Sequence, residues 1–356
     1  MRFVNLDNCK IGMTIGRSLY GNNGALLLKK GVVLKQNHIE ALQELGYPGI
    51  YIDDEFSKDI NIVEIVDPVI RNNAIVALQG LFSNTKFTEI MKGDQTVNEI
   101  EHIITDMIAQ IASNTNALIN IVSLKTYDDY TFQHCVDVGI LSLILGKELK
   151  IGKSKLIQLG KAAFFHDIGK MFIAKNIINK PSNLTPEEFS EVKRHSLLGY
   201  DCLKNILKQP KGVCNGALYH HEKYGGGGYP KNISGDEIPF FSRIIAITDV
   251  YDAISSKRTY KDAALASEAY EYIMGNAGEH FDPQIVSAFM RKVAPFPVGT
   301  GVILSDGRKA IVVENKPDFM IRPLVKVLHE CKTSPNEYID LALDANARSI
   351  TIIGTA

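Results

Sequence analysis

Nine histidines occur in the chain, and five of them, His134, His166, His195, His220 and His221, fall between positions 134 and 221. Three of the five sit in unusual pairs: His166 precedes Asp167, and His220 precedes His221. A lone helical histidine is more often a satisfied core residue than a ligand. Five in one segment, with these pairings, suggest more. Imidazole and carboxylate are the donors that Fe, Mn, Zn and Co share, and helices that each contribute one or two can converge on a buried centre. His166 and Asp167 close the apolar stretch Leu156, Ile157, Leu159, Ala162, Ala163, Phe164 and Phe165. An ionisable pair there is costly unless it is paired or metal-bound. Asp249 and Asp252 lie three apart in the largely apolar RIIAITDVYDAI, so both carboxylates share one helix face and need partners. Glu222 reads either as an orienter of a ligating histidine or as surface charge. Asp252 reads as an orienter rather than a ligand. His38, His102, His280 and His329 read as structural or surface residues.

The elements that must carry these groups are mostly helices. Between about 126 and 295 helix follows helix, and Thr185-Pro186-Glu187-Glu188 is a start signal: a capping Thr, Pro in the first turn, Glu three residues on. The YGGGGYP run at 224–230 is a loop, and its glycines permit positive φ and close approach of backbone to a ligand. Before this, Val97, Ile100, Ile103, Ile104, Met107, Ile108 and Ile111 follow helical spacing. That helix, near 97–122, reads as a homodimer seam or stalk, or as the first core helix of the next domain.

The ends differ. Residues 1–62 read as a small α/β module, with strands at Ala25–Leu28, Val32–Leu34 and Gly49–Ile52, a tight turn at Asn22-Asn23-Gly24 and a helix over Ile39–Leu45 closed by Gly46. Residues 63–125 read as a helical linker, 126–295 as the chemical domain and 296–356 as a small β appendage. In that appendage strands are expected at Val302–Leu304, Ala310–Val313 and Val325–Leu328, with a hairpin at Asp306-Gly307. The fold class expected is therefore mainly α, with small modules at both ends.

Composition excludes several functions. Lys plus Arg is 39 against 40 acids, a net charge of -1. Binding a nucleic-acid polymer without regard to sequence needs a cationic excess, though a small phosphate ligand needs only local cations. The five cysteines, Cys9, Cys135, Cys202, Cys214 and Cys331, are odd in number and contain no C-x-x-C pair, which argues against a disulfide framework and a structural zinc site. No signal peptide and no membrane span is expected, and the protein reads as cytoplasmic.

In order along the chain stand YTFQH at 130–134, HDIGK at 166–170, KRHSLLGY at 193–200, HHE at 220–222, GYP at 228–230, SRIIAITDVYDAISSKRTY at 242–260 and HFDP at 280–283. This series resembles the HD-GYP family, a branch of the HD-domain metal-dependent phosphohydrolases, over about half the chain. The resemblance implies an all-helical HD-type domain, a two-metal centre of iron or manganese, and hydrolysis of cyclic di-GMP to linear pGpG and onward to GMP. It implies His134, His166, Asp167, His195, His220, His221 and Asp249 as metal ligands, with Asp167 bridging. Asp167 and Lys170 would be catalytic, and Lys170, Tyr229, Arg258 and Lys261 would contact substrate. The charge arithmetic agrees: two divalent ions, two carboxylates and a bridging hydroxide leave about +1, suited to a singly charged phosphodiester and to in-line attack by that hydroxide. Other readings are a different 3′,3′-cyclic dinucleotide as substrate, or a catalytically weak sensor or protein-interaction module that meets signalling partners through the GYP loop. Three positions depart from the family pattern: Gly225 where Asp is usual, Thr259 where Pro is usual, and Tyr130 where some relatives carry a Glu for a third metal. The last favours two metals over three. The segment IGMTIGRSLYGNNGALLLKKGVVL also resembles, more loosely, a small domain often found ahead of HD-GYP domains.

Overall fold

The computed structural model describes residues 1–21, 25–83, 90–114, 130–180, 182–255, 266–328 and 337–355. The chain opens with β1 (Arg2–Asn5), β2 (Thr14–Ile15), β3 (Leu19–Tyr20), β4 (Leu26–Leu28), α1 (Gln36–Glu44) and β5 (Gly49–Asp53). The apolar run of β5 becomes the middle strand of an antiparallel sheet ordered β1-β5-β2, and β3 pairs with β4. The expected strand at Val32–Leu34 does not form. Gly31, at φ +88, turns the chain so that only Val33 bridges Thr14. The turn at 22–24 lies outside the described residues. Ile15, Leu34, Leu42 and Ile50 form the dry centre of this module.

The helices that follow are α2 (Pro68–Ser83), α3 (Ile90–Ser113), α4 (Tyr130–Glu148), α5 (Lys153–Phe164), α6 (Lys175–Ile178), α7 (Pro186–Lys193), α8 (His195–Asp201), α9 (Lys211–Tyr219), α10 (Phe240–Ser255), α11 (Ala266–Gly275) and α12 (Pro283–Lys292). One continuous apolar core joins α2 and α3 to the rest. Val97, Ile100, Ile103, Ile104, Met107 and Ile111, the face that suggested a dimer seam, are buried in it. The expected extension of that helix past 114 falls outside the described residues. The helix start at Thr185 forms as its sequence demands: Thr185 Oγ1 accepts from the Glu188 amide at 3.2 Å, and the Thr185 amide donates to Glu188 at 2.8 Å.

The chain closes with β6 (Gly301–Leu304), β7 (Lys309–Glu314), β8 (Leu324–Val327), β9 (Tyr338–Asp340) and β10 (Ile352–Thr355), an antiparallel sheet ordered β10-β6-β7-β8-β9. The two end modules pack on each other, which composition gave no hint of. Tyr51, Ile60 and Ile62 bury against Val298 and Ile311. The Phe3 amide donates to the Gly299 carbonyl at 2.9 Å. Lys326 Nζ stands 2.8 Å from Asp59, whose other oxygen accepts from the Tyr338 hydroxyl. The fold is mainly α, with a small α/β module before the helices and a small β module after them.

Candidate metal centre

Five separate pieces of chain bring the candidate ligands together. His134 lies on α4. His166 and Asp167 form the turn between α5 and a short 3-10 helix, Ile168–Phe172. His195 begins α8, His220 and His221 directly follow α9, and Asp249 and Asp252 lie one turn apart on α10. The close approach of α8 to the His-Asp turn depends on Gly169, where a Cβ would fall 1.8 Å from the His195 carbonyl oxygen and 2.6 Å from the Gly199 amide nitrogen. Only a residue without Cβ lets these two pieces touch.

Asp167 is the hub. Its Oδ2 lies 3.4 Å from His166 Nε2 and 3.8 Å from His134 Nε2, while its Oδ1 lies 3.5 Å from His195 Nε2 and 4.0 Å from His220 Nε2. Asp249 Oδ1 stands 3.1 Å from His134 Nε2 and 3.9 Å from His166 Nε2, and its Oδ2 is 4.0 Å from His221 Nδ1. The donor atoms fall into overlapping triads, His134 with His166 and Asp167, His166 with His220 and Asp249, and His195 with His220 and His221, each within 4.8 Å.

The outer ring nitrogens fix which edge faces inward. His166 Nδ1 meets the Ala163 carbonyl at 2.7 Å, His195 Nδ1 the Val192 carbonyl at 2.6 Å, and His220 Nδ1 the Ala217 carbonyl at 2.9 Å. A carbonyl only accepts, so each Nδ1 carries the proton and each Nε2 turns a lone pair into the cluster. His134 Nδ1 is held by Asp252 Oδ2 at 2.6 Å, the carboxylate–histidine pairing that orients metal ligands. His166 Nε2 and Asp167 Oδ1 are buried with no hydrogen-bond partner. An unpartnered lone pair at depth is costly, and the donor set of imidazole and carboxylate fits a divalent cation. These residues therefore suit divalent metal.

The charges agree with this. Burial opposes the Asp167 charge, but Lys170 and His166 outweigh it and hold the carboxyl well below its ordinary range. At Asp249 the hydrogen bond and charge of His134 likewise outweigh burial. Burial, aided by neighbouring imidazoles, pushes His220 well down, and burial brings His221 down to about 3. Burial also lowers His195. At His166 burial is outweighed by Asp167, which raises it. Ionised carboxylates among largely neutral imidazoles are the protonation states that metal binding requires.

With that geometry in hand, the HD domain family matches residues 106–285. The chain belongs to the HD-domain family. Its relatives include a cyclic di-GMP phosphodiesterase of Pseudomonas aeruginosa, 36% identical over 67% of this chain and 58% of that protein. A cyclic di-GMP phosphodiesterase of Thermotoga maritima is 28% identical over 67% of this chain and 65% of its own length. A 3′3′-cGAMP-specific phosphodiesterase of Vibrio cholerae is 29% identical over 77% of this chain and 57% of its own. The chain thus spans less than two thirds of the length of these relatives. A solved structure, Bd1817, an HDGYP protein from Bdellovibrio bacteriovorus, superposes with a TM-score of 0.53 over 81% of this chain and 97% of its own at 17% identity, and shares the fold. The HD-GYP resemblance read from the motifs holds.

Around this HD-domain centre, Lys170 Nζ lies 2.5 Å from Asp167 Oδ2, so the cation is engaged with a candidate ligand rather than standing apart. The Tyr229 ring stacks on His221, centroids 4.7 Å apart, and burial raises its hydroxyl pKa, which keeps it protonated. Arg258 and Lys261 lie outside the described residues. Glu222 is buried, not a surface charge: its Oε1 accepts from the Lys231 amide at 2.7 Å and ties down the far side of the glycine loop. Gly228 passes so close to Glu222 that a Cβ would meet its Cα at 2.4 Å. The departure at Gly225 has a local reason, since its amide donates to the Glu279 carbonyl at 2.7 Å and a Cβ would sit 3.0 Å from that oxygen. The Tyr224 amide likewise donates to the His280 carbonyl at 3.0 Å, so Glu279 and the start of HFDP hold the loop through backbone, and His280 stacks on Phe281 rather than entering the cluster. Two contacts escaped the sequence reading. Lys193 lies 5.3 Å over the Tyr229 ring, and Arg71 on α2 holds Asp137, three residues beyond His134, at 2.7 Å. The only available signal for the second was a charged residue in the apolar run VDVGIL.

Proposed function

We propose that this chain is a metal-dependent phosphodiesterase that hydrolyses a 3′,3′-cyclic dinucleotide, cyclic di-GMP first among them. The observation that carries the reading is the convergence of five imidazoles and two carboxylates with an unpartnered, inward-facing His166 Nε2 and Asp167 Oδ1. We assign His134, His166, Asp167, His195, His220, His221 and Asp249 as ligands of two divalent ions, iron or manganese. Held there, such ions would supply a Lewis acid for phosphate oxygens and lower the pKa of a water towards neutrality. Asp167 would serve both ions, because its two oxygens face different imidazole pairs. Lys170, seated on Asp167, is within reach of a phosphate oxygen bound beside that carboxylate and would offset its charge. Tyr229 would give a base or ribose a flat wall. Arg258 and Lys261 are assigned to the phosphates through the family motif alone. In the reaction a water oxygen bonds to phosphorus, the bond to the 3′ oxygen breaks, and that oxygen leaves with a proton, giving pGpG. Retention of every expected ligand position favours an enzyme over a pure sensor. Dimerisation through α3 forms no part of the reading, because the apolar face that suggested it is used inside the chain.

The test is purified protein loaded with Mn or Fe and given cyclic di-GMP or 3′3′-cGAMP, with products separated. Linear dinucleotide from either substrate supports the reading. Binding without turnover under both metals, in protein shown to hold metal, would replace it with the sensor reading.

A further inference from the structure

A cavity of about 130 Å³ lies where the first module meets the helices. Cavities at the junction of two structural units are where small ligands most often bind. Its walls come from the Arg17–Gly21 segment and Tyr47, from the connection at 62–66, and from α2 and α4. Two guanidiniums and two carboxylates face it, in pairs. Arg17 Nε lies 2.7 Å from Glu64 Oε1. Arg71 places Nε at 3.1 Å and Nη2 at 2.7 Å on one oxygen of Asp137. Those two bonds use two of the five N–H groups of Arg71, leaving donors in the fork geometry that matches a carboxylate. Glu64, also in the lining, has its Oε2 buried with no hydrogen-bond partner. Burial raises the Glu64 carboxyl, against the pull of Arg17 and Arg71. Ile62, Ile75, Ile140 and Ile144 add aliphatic wall, beside the polar side chains of Asn72 and Gln133.

We infer that this cavity binds a small aliphatic zwitterion of the amino-acid class. Its carboxylate meets Arg71, its ammonium meets Glu64 Oε2, and its side chain lies on the isoleucines. The pairing decides the charge type. A phosphate would bring net negative charge to a site whose two cations are already matched by two carboxylates, whereas a zwitterion adds none. The cavity, about 130 Å³, is close to the size of an engineered cavity of about 150 Å³ that accepts benzene, so the occupant is small. The α4 wall includes Gln133 and Asp137, on either side of His134 in sequence, so an occupant touches the helix that carries a proposed metal ligand. The inference stands apart from the proposed reaction and does not need it.

The test is calorimetric titration of the full chain with L-leucine, 4-methylpentanoate (no ammonium) and isoamylamine (no carboxylate). Saturable binding of leucine with a Kd of about 1 mM or tighter, weakened at least ~10-fold in each truncated analogue, is expected. Arg71→Met should weaken leucine by at least ~10-fold. Because Arg71→Met also removes an ion pair to Asp137 and can unfold the chain, Glu64→Gln, which keeps shape, should give a comparable loss. No saturable binding up to about 20 mM, well above the millimolar range, overturns the inference. So does leucine binding that Glu64→Gln leaves unchanged, or equal binding of 4-methylpentanoate.

Discussion

At the scale of residues, the account rests on imidazoles whose inward nitrogens are set by what their outward nitrogens touch. Three of those anchors are backbone carbonyls and one is a carboxylate, Asp252 on His134. The carboxylate can be tested alone. Asp252→Asn keeps an acceptor for Nδ1–H but removes the charge that raises the basicity of the ring. Metal affinity, followed by competition with a chelator, should fall ~10- to 100-fold while the helical circular-dichroism signal is retained. Unchanged affinity would mean Asp252 only fills space. The candidate ligands were legible through the HD-GYP motif order, and the cost of isolated His and Asp residues in apolar helices pointed to the same segments. Asp252 was read as an orienter rather than a ligand. The sequence left Glu222 undecided, because burial of a single polar residue at a helix end depends on where a later loop folds back, here the Lys231 amide.

At the scale of elements, the site is assembled around a close contact that one glycine permits. Gly169 lets α8 lie against the His-Asp turn. Gly169→Ala should destabilise the fold by about 3 kcal/mol or more, since a Cβ there meets backbone rather than a yielding side chain, and it should lower metal content in whatever protein folds. Denaturant unfolding and metal analysis read the two effects. The start of α7 is the contrasting case. Thr185→Ala should remove about 1 kcal/mol through the lost cap with metal content unchanged. A loss of metal there would mean that α7 fraying displaces His195. Helices and the α7 start were legible from periodicity and capping. β1, β9 and β10 were not, because strands of three or four residues carry too little alternation to stand out. The strand expected at Val32–Leu34 failed because the turn at Gly31 took precedence over its apolar run. The helix near 97–122 stayed open between a seam and a core helix for a different reason: an apolar helix face announces that it will be buried, not by what, and here α2 and the HD-domain helices cover it.

At the scale of the molecule, the two ends of the chain form a joint platform beside the helices, and its polar clasp is pH-dependent. Burial opposes the charge of Asp59, but hydrogen bonds from Lys326 and Tyr338 outweigh it and lower the carboxyl below its ordinary 3.8. A folded-state pKa below the unfolded value means that the contact contributes above about pH 4 and is lost as pH falls through the lowered value. Hydrogen exchange in β8 should therefore accelerate below pH 4 in the native chain, and Asp59→Asn should remove that pH step. A step that survives the substitution would place the sensitive group elsewhere. No helix of the described residues is long and apolar enough to cross a membrane. The central claim, that seven donors hold two cations in the helical domain, is tested most directly by metal analysis of anaerobically purified protein never exposed to chelator. The account predicts about two divalent ions per chain, falling to near none in His166→Ala/Asp167→Ala with the fold retained. A metal-free native protein, or a double variant that keeps its full metal complement, would contradict it.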